Sequence, residues 1–313
     1  MTDYREPGVL QETFRFFQNF YRFAFTDLKM ILAMNITSRC NLRCAHCYWW
    51  REEHPPELDD EQMIAFMQQQ RKAGKNLAIL YGGEPTLRPN VCREATRIFD
   101  ATIIFTNGTV GFPDIPAIWM LSLEGTREVN DAIRGKGVYD KVMKNLQRDT
   151  YRKPIVHITI TRQNQHDIEP FLQEMSAHSH LIRGIGFSFY TPEIGKDESD
   201  IFIPLPERDR VLDELLLLSK RYWRIMGFNE PLAHQFRSTG AFPEWNSLQT
   251  CTVTEMVDCF NSDGSPISCI YGNNADCSRC GCTGVAVYRA AFKKFNPLSL
   301  FNALGIIIAR NRK

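Results

Sequence analysis

The chain lacks any apolar run of the length that crosses a bilayer as a helix, about 18 residues or more. Its N-terminus, MTDYREPG, lacks the basic segment and following apolar stretch of a secretory signal. An excess of one charge is also missing: 37 basic residues face 36 acidic ones, so global attachment to nucleic acid through phosphate neutralisation is not expected. There is no internal repeat and no low-complexity tract, and 43% hydrophobic residues exclude a disordered chain. A cytoplasmic protein with a sizeable core is expected. What the sequence does have is cysteine. Ten cysteines without a signal point away from a disulfide scaffold and toward metal.

The cysteines fall in two groups. Cys40, Cys44 and Cys47 lie close together, and Cys251, Cys259, Cys269, Cys277, Cys280 and Cys282 crowd into 32 residues far downstream. Two separate metal sites are expected. Cys92, in VCREATRIFD, reads as a buried thiol on a helix.

Apolar runs at MILAMNI (30–36), LAILY (77–81), ATIIFTNG (101–108), AIWMLSLEG (117–125), VHITITRQN (156–164) and IRGIGFSFY (182–190) predict six strands. Between them, ELDDEQMIAFMQQQRKAG, CREATRIFD, a stretch around 139–147 and DIEPFLQEMSAH predict helices, the first with acids at its start and Gly74 after its end. Strands alternating with helices predict an α/β fold with a parallel sheet; six units, not eight, predict a partial (β/α)6 barrel of TIM type. After Tyr190 the rhythm breaks in a Pro-rich, acidic loop, and a helix follows from Pro206. Residues 1–205 read as a catalytic domain with its core at about 30–190, and 206–313 as a small Cys-rich extension. An aromatic helix is also expected at 10–25.

Cys40-x3-Cys44-x2-Cys47 follows the first strand directly. Three thiolates at that spacing on a loop can converge on one face of an iron–sulfur cube and leave one iron open. A tetrahedral zinc site would need a fourth ligand from elsewhere, since His46 sits awkwardly between two of the cysteines. In the second group, VDCFNSDGSPISC predicts a hairpin turning at Asp263-Gly264.

The cysteine loop resembles that of the radical S-adenosylmethionine (SAM) superfamily, and further motifs agree in order: YGGEP (81–85) after the second strand, TNG (106–108) after the third, SLEG (122–125) at the fourth, then EVNDAIRGKGVYDKVMKNL. Glu124 stands where the family more often has aspartate. The likeness covers about Met30 to Tyr190. It implies that Cys40, Cys44 and Cys47 hold a [4Fe–4S] cluster whose open iron takes SAM, giving a 5′-deoxyadenosyl radical that abstracts hydrogen from a substrate. It also implies a SAM site made of Gly82, Gly83, Glu84 and Pro85, with Glu84 toward the ammonium, Arg134 toward the carboxylate and Ser122 toward carboxylate or ribose. Gly184–Gly186 would pass the adenine. The plain alternative for Arg134 is a surface ion pair. An electron donor such as flavodoxin or ferredoxin is implied.

Cys251-x12-Gly264-x4-Cys269 is similar to the opening of the SPASM or twitch extensions of that superfamily, which carry auxiliary clusters. Cys277-x2-Cys280-x-Cys282 departs from the full pattern, so one auxiliary [4Fe–4S] cluster is implied. Cys269, Cys277 and Cys280 are its favoured ligands, with Cys251, Cys259 or Cys282 as the fourth; structural zinc is the rival reading. From Cys277 to the end there is no acid, but there are seven basic residues: Arg279, Arg289, Lys293, Lys294, Arg310, Arg312 and Lys313. With Tyr288, Phe292, Phe295 and LSLFNALGIII, the tail reads either as an amphipathic segment on a membrane surface or as a docked helix. A membrane-bound tail would favour a lipid-like substrate over a peptide or other small molecule. The short stretch before the first strand is too small for a peptide-recognition domain. A non-catalytic iron–sulfur or zinc scaffold would require loss of the cysteine triad or of Glu84, and the sequence keeps both.

Overall fold

In the computed structural model, residues 29–149, 153–196 and 198–290 are described. Six strands form in sequence order: β1 (Ile31–Thr37), β2 (Leu77–Gly82), β3 (Ala101–Thr106), β4 (Ile118–Ser122), β5 (Ile155–Ile160) and β6 (Gly184–Phe189). Each pairs in parallel with the next. Helices α1 (Asp60–Lys72), α2 (Pro89–Ile98), α3 (Arg127–Arg134), α4 (Val138–Arg148) and α5 (Ile168–Ala177) form the crossovers. This is the expected partial barrel.

Local chemistry explains the boundaries. Asp59 and Gln62 make a reciprocal capping box at the start of α1. α2 begins three residues earlier than expected because Pro89 presets the backbone at its first position. The stretch leading to 139–147 is two helices, since Gly135 and Gly137 take positive φ values of 115° and 79° and break it.

One face of the sheet is packed by the helices. Leu32, Met34, Leu80, Ile104, Trp119, Leu121, Val156 and Ile158 join Met63, Met67, Val91, Cys92 and Ala95 in the main core. Cys92 is thus the buried helix thiol that its setting predicts. The strand registers put Tyr81, Phe105, Met120, Ser122, His157 and Gly186 on the opposite face. These residues are only half-buried, because the interior of the barrel is open where the helix side is filled.

Beyond residue 205 come α6 (Leu205–Arg221), α7 (Glu230–Phe236), α8 (Val253–Met256), the hairpin β7 (Val257–Phe260) and β8 (Pro266–Ile267), and α9 (Thr283–Tyr288). The predicted hairpin is present, with Gly264 at φ +80° in its turn. Its pairing was not legible in advance: β7 runs parallel to β1 and extends the barrel sheet, in the order β6-β5-β4-β3-β2-β1-β7-β8.

The tail expectation changes at its beginning. Val285 and Ala286 lie in the main core, and Arg289 is buried, paired with Glu244 and bonded to Gln235. Residues 283–290 are therefore docked on the protein. The predicted helix at 10–25 and the tail from 291 onward lie outside the described residues.

Candidate active site

The cysteine loop leaves the C-terminal end of β1 and is fastened at several points. The Glu57 carboxylate accepts from Ser38 N (2.6 Å), Ser38 Oγ (2.6 Å) and Thr37 Oγ1 (3.0 Å). Trp49 Nε1 donates to Ser38 O and Trp50 Nε1 to Cys44 O. Ala45 N donates to Ile133 O (2.7 Å), which ties the loop to α3. Cys40 Sγ accepts from Leu42 N (3.4 Å) and faces Asn107 Nδ2 (3.9 Å). Burial pushes all three thiols up, Cys44 to about 11, with Arg134 opposing. Cys40 and Cys47 lie close enough to Cys44 to raise it further by their charge, and Cys40 does the same to Cys47.

The Gly-Gly-Glu-Pro loop lies directly against this one. A Cβ on Gly82 would stand 2.4 Å from Thr37 O, and one on Gly83 2.0 Å from Arg39 O. Gly83 N and Glu84 N donate to those same two carbonyls, each at 2.8 Å. The glycines were expected to admit a ligand; the close approach seen is to the chain's own cysteine loop.

Glu84 is buried and organises the loops around it. Oε1 accepts from Thr86 N (3.0 Å), Thr86 Oγ1 (2.6 Å) and Thr106 Oγ1 (2.8 Å), and Oε2 from Asn107 N (2.7 Å). Asn107 in turn donates to Asn41 Oδ1 (2.9 Å) beside Cys40. Glu84 thus joins the TNG loop to the cysteine loop, a role that the sequence reading missed. Oε2, with one donor, keeps a lone pair free. Glu84→Gln places an NH2 group among these donors and removes the charge. We expect SAM affinity to fall roughly ten- to hundredfold, from the loss of a charge-assisted bond worth about 1.5–3 kcal/mol. A lowered melting temperature should accompany the weaker binding. Titration calorimetry and a thermal melt check both; unchanged SAM affinity would move Glu84 out of the site.

Arg134 ends α3 and is buried, not at the surface. Its guanidinium pairs with Glu124, while its Nε is buried with no partner. His46 Nε2 lies 3.3 Å from the same carboxylate, and Glu124 Oε2 accepts from Thr159 N (2.9 Å). Burial works to raise the Glu124 carboxyl, but Arg134 and His46 outweigh it and hold it at about 2. Removing either partner of such a pair strands a buried charge, at a cost of about 3–5 kcal/mol. His46, set aside as a ligand for its position between two cysteines, turns to Glu124. Its Nδ1 is also buried without a partner.

Ser122 ends β4, opposite His157 of β5. The sequence reading did not single out His157, whose only signal was a polar residue on the inner face of an apolar strand. Thr283 Oγ1 donates to Phe187 O, and Ser188 Oγ donates to Thr283 Oγ1 (3.0 Å). The Ser188 oxygen is left to accept, so His157 Nε2, at 2.9 Å, carries the proton. Nδ1 is then the unprotonated nitrogen. Burial lowers His157 to about 4, against the charge of Glu124, so the imidazole is neutral near pH 7.

The six C-terminal cysteines also gather, drawn from the residues just before α8, from β7, the segment after β8 and the start of α9. Cys259 influences the charge of Cys269, Cys269 that of Cys280, and Cys251 that of Cys259, Cys277 and Cys282. Cys280 Sγ accepts from Cys282 N (3.4 Å) and faces Thr191 Oγ1 (3.9 Å); backbone amides of Gly284 and Val285 point at Cys282 Sγ. Gly281 lets this stretch press on β6: a Cβ there would stand 2.0 Å from Phe189 O. Among the described residues, no three His, Cys, Asp or Glu side chains form a group that could hold a single metal ion. An all-thiol set with N–H groups aimed at sulfur is the donor chemistry that suits an iron–sulfur cluster. At the first site the same chemistry stands beside the partnerless Arg134 Nε, so the residues present fit a cluster with an anionic cofactor group next to it.

A parallel partial barrel with three thiols on the loop after its first strand, followed by a Cys-rich extension, is the architecture of a radical SAM protein. The Radical SAM superfamily model matches residues 34–175, just under half of the chain, and the Cys-rich extension lies beyond that match. The chain is 30% identical over 213 residues to the Fe-coproporphyrin III synthase of Methanosarcina barkeri, covering 60% of this chain and 53% of that one. It is 29% identical over 173 residues to the mycofactocin maturase MftC of Mycolicibacterium smegmatis, covering 50% and 44%. The chain thus spans about half the length of these curated relatives. Its fold is similar to that of Streptococcus suis SuiB bound to S-adenosylmethionine, with a TM-score of 0.61, 16% identity, and 86% and 67% of the two chains covered.

Proposed function

We propose that this chain is a radical SAM enzyme, with Cys40, Cys44 and Cys47 holding a [4Fe–4S] cluster and a second [4Fe–4S] cluster in the extension. When bound, the first cluster supplies the electron that cleaves SAM to a hydrogen-abstracting radical. The chain's own residues position and shield that chemistry. Glu84 holds the ammonium end of SAM through the free lone pair on Oε2. Arg134, fixed by Glu124, offers Nε to the carboxylate, and Ser122 stands beside it. We read residues 1–205 as the catalytic part and 206–313 as the extension. A flavodoxin or ferredoxin is the donor class that suits the first cluster. The observation that carries this reading is the interlock of the cysteine, Gly-Gly-Glu-Pro and TNG loops through Glu84 and Asn107. Anaerobic incubation with SAM, dithionite and extracted lipid or peptide fractions tests it, with 5′-deoxyadenosine and the modified mass as readouts.

The substrate follows from the barrel interior. Tyr81, Phe105 and Met120 line it, with His157 neutral and Glu124 already paired, so an apolar substrate bearing a hydrogen-bond donor for His157 Nδ1 fits best. A peptide is the second reading. It is favoured by the likeness to SuiB bound to its precursor peptide SuiA, with a TM-score of 0.61 over 91% of this chain.

The basic tail bears on the choice. Among the described residues no helix is long and apolar enough to cross a membrane. If 291–313 lies on a membrane surface, the protein should co-sediment with anionic vesicles, less so in high salt. Deleting 291–313 should abolish sedimentation and spare the iron. A cut at 285 would remove core residues Val285 and Ala286 and is expected to unfold the extension. An intact protein that ignores vesicles would favour the peptide reading.

A further inference from the structure

Tyr81 opens the Gly-Gly-Glu-Pro loop, and its side chain leads away from that loop. In the sheet it stands opposite Asn35 of β1, while Cys259 of β7 stands opposite Ala33, on the other side of the same strand. Ala33 and Asn35 share the inner face, so Tyr81 and Cys259 do too. The small Ala33 leaves room for a long ring to pass over β1. Tyr81 and Cys259 meet in a second apolar cluster with Ala33, Ile267 and Ile270. The Tyr81 hydroxyl is buried and makes no formed hydrogen bond, and the Cys259 sulfur is a polar atom near it, with Tyr48 and Cys269 also close by.

A buried hydroxyl without an acceptor is costly, and a neutral thiol is a poor one. A thiolate is a good one, and a cysteine becomes a thiolate when it ligates metal. The hydroxyl is therefore placed for the metal-bound form of Cys259. The neighbouring cysteines agree: Cys259 pairs across the hairpin with Ile267, two residues before Cys269. Tyr48, which follows Cys47, donates to Ile270 O (3.5 Å), so the two cysteine sets are adjacent here.

We propose that Cys259 is a ligand of the second cluster and that Tyr81, a positioning residue from the SAM-site loop, donates its phenol hydrogen bond to that sulfur. The inference rests on the second-cluster reading above. A donor to a ligand sulfur stabilises the extra negative charge of the reduced cluster and so raises its reduction potential. The loop that holds SAM would thereby set the redox poise of the extension.

The test uses the full chain carrying Cys40→Ala, Cys44→Ala and Cys47→Ala, which leaves only the second cluster to report. About four irons per chain are expected there. Tyr81→Phe should keep the iron and move the midpoint potential, followed by electron paramagnetic resonance during a redox titration, to a more negative value. Cys259→Ser should lose the iron or alter the resonance spectrum. An unchanged potential in Tyr81→Phe, or full iron with an unchanged spectrum in Cys259→Ser, would overturn the assignment. Zinc, or no metal at all, in the parent variant would instead overturn the second-cluster reading, and the assignment would fall with it. Circular dichroism of each variant separates lost ligation from lost fold: a Cys259→Ser protein that unfolds leaves the decision to the potential in Tyr81→Phe.

Discussion

Anaerobically reconstituted protein is expected to hold about eight irons, and replacing Cys40, Cys44 and Cys47 together with alanine should remove about half of them. Cleavage of SAM should disappear altogether. Ligand count is the reason: the loop offers three thiols on the end of β1, and no other cysteine is part of that loop. The second set comes from the residues just before α8, from β7, the segment after β8 and the start of α9, and Gly281 and Thr283 tie it to β6, so it should keep its iron when the first is lost. Iron analysis and chromatography of 5′-deoxyadenosine check both halves. Release of 5′-deoxyadenosine by the triple variant would sink the reading of this loop as the SAM site.

Gly83→Ala should cost nearly as much while touching no ligand. The new methyl group would meet the Arg39 carbonyl at 2.0 Å, and that atom is backbone, fixed further by the Glu84 N–H. Relief requires the Gly-Gly-Glu-Pro loop to part from the cysteine loop. Overpacking of this kind costs about 1–3 kcal/mol. Here the strain falls on the loop carrying the thiols, so we expect loss of the first cluster's iron, SAM binding and several degrees of melting temperature. If Gly83→Ala retained its iron and SAM affinity, the interlock of the two loops would not matter to the site.

Particular residues show how far the sequence could be read. The strands were legible because each is a short apolar run bounded by turn residues, buried on the helix side by pattern alone. The cysteine loop was legible because its three thiols are neighbours in the chain, so spacing nearly defines their geometry. Glu84 was legible as the acid of the Gly-Gly-Glu-Pro loop, but not as the acceptor for Thr86, Thr106 and Asn107, which come together only when β2 and β3 pair. Arg134 was legible as a cation near the site. Its burial against Glu124 and His46 needed α3 to fold back over the cysteine loop.

The sequence by itself determined the class of fold and the two separate groups of cysteines, since these depend on local periodicity and on residues close in the chain. Tertiary structure decided what depends on partners far apart in it. It placed β7 beside β1, which brought Cys259 under Tyr81, and it docked residues 283–290, which removed them from the exposed tail. It also set the tautomer of His157 through Ser188 and Thr283. The physical reason is the same in each case. A backbone edge or a side-chain donor can be satisfied by many partners of suitable chemistry, and only the packed chain selects one.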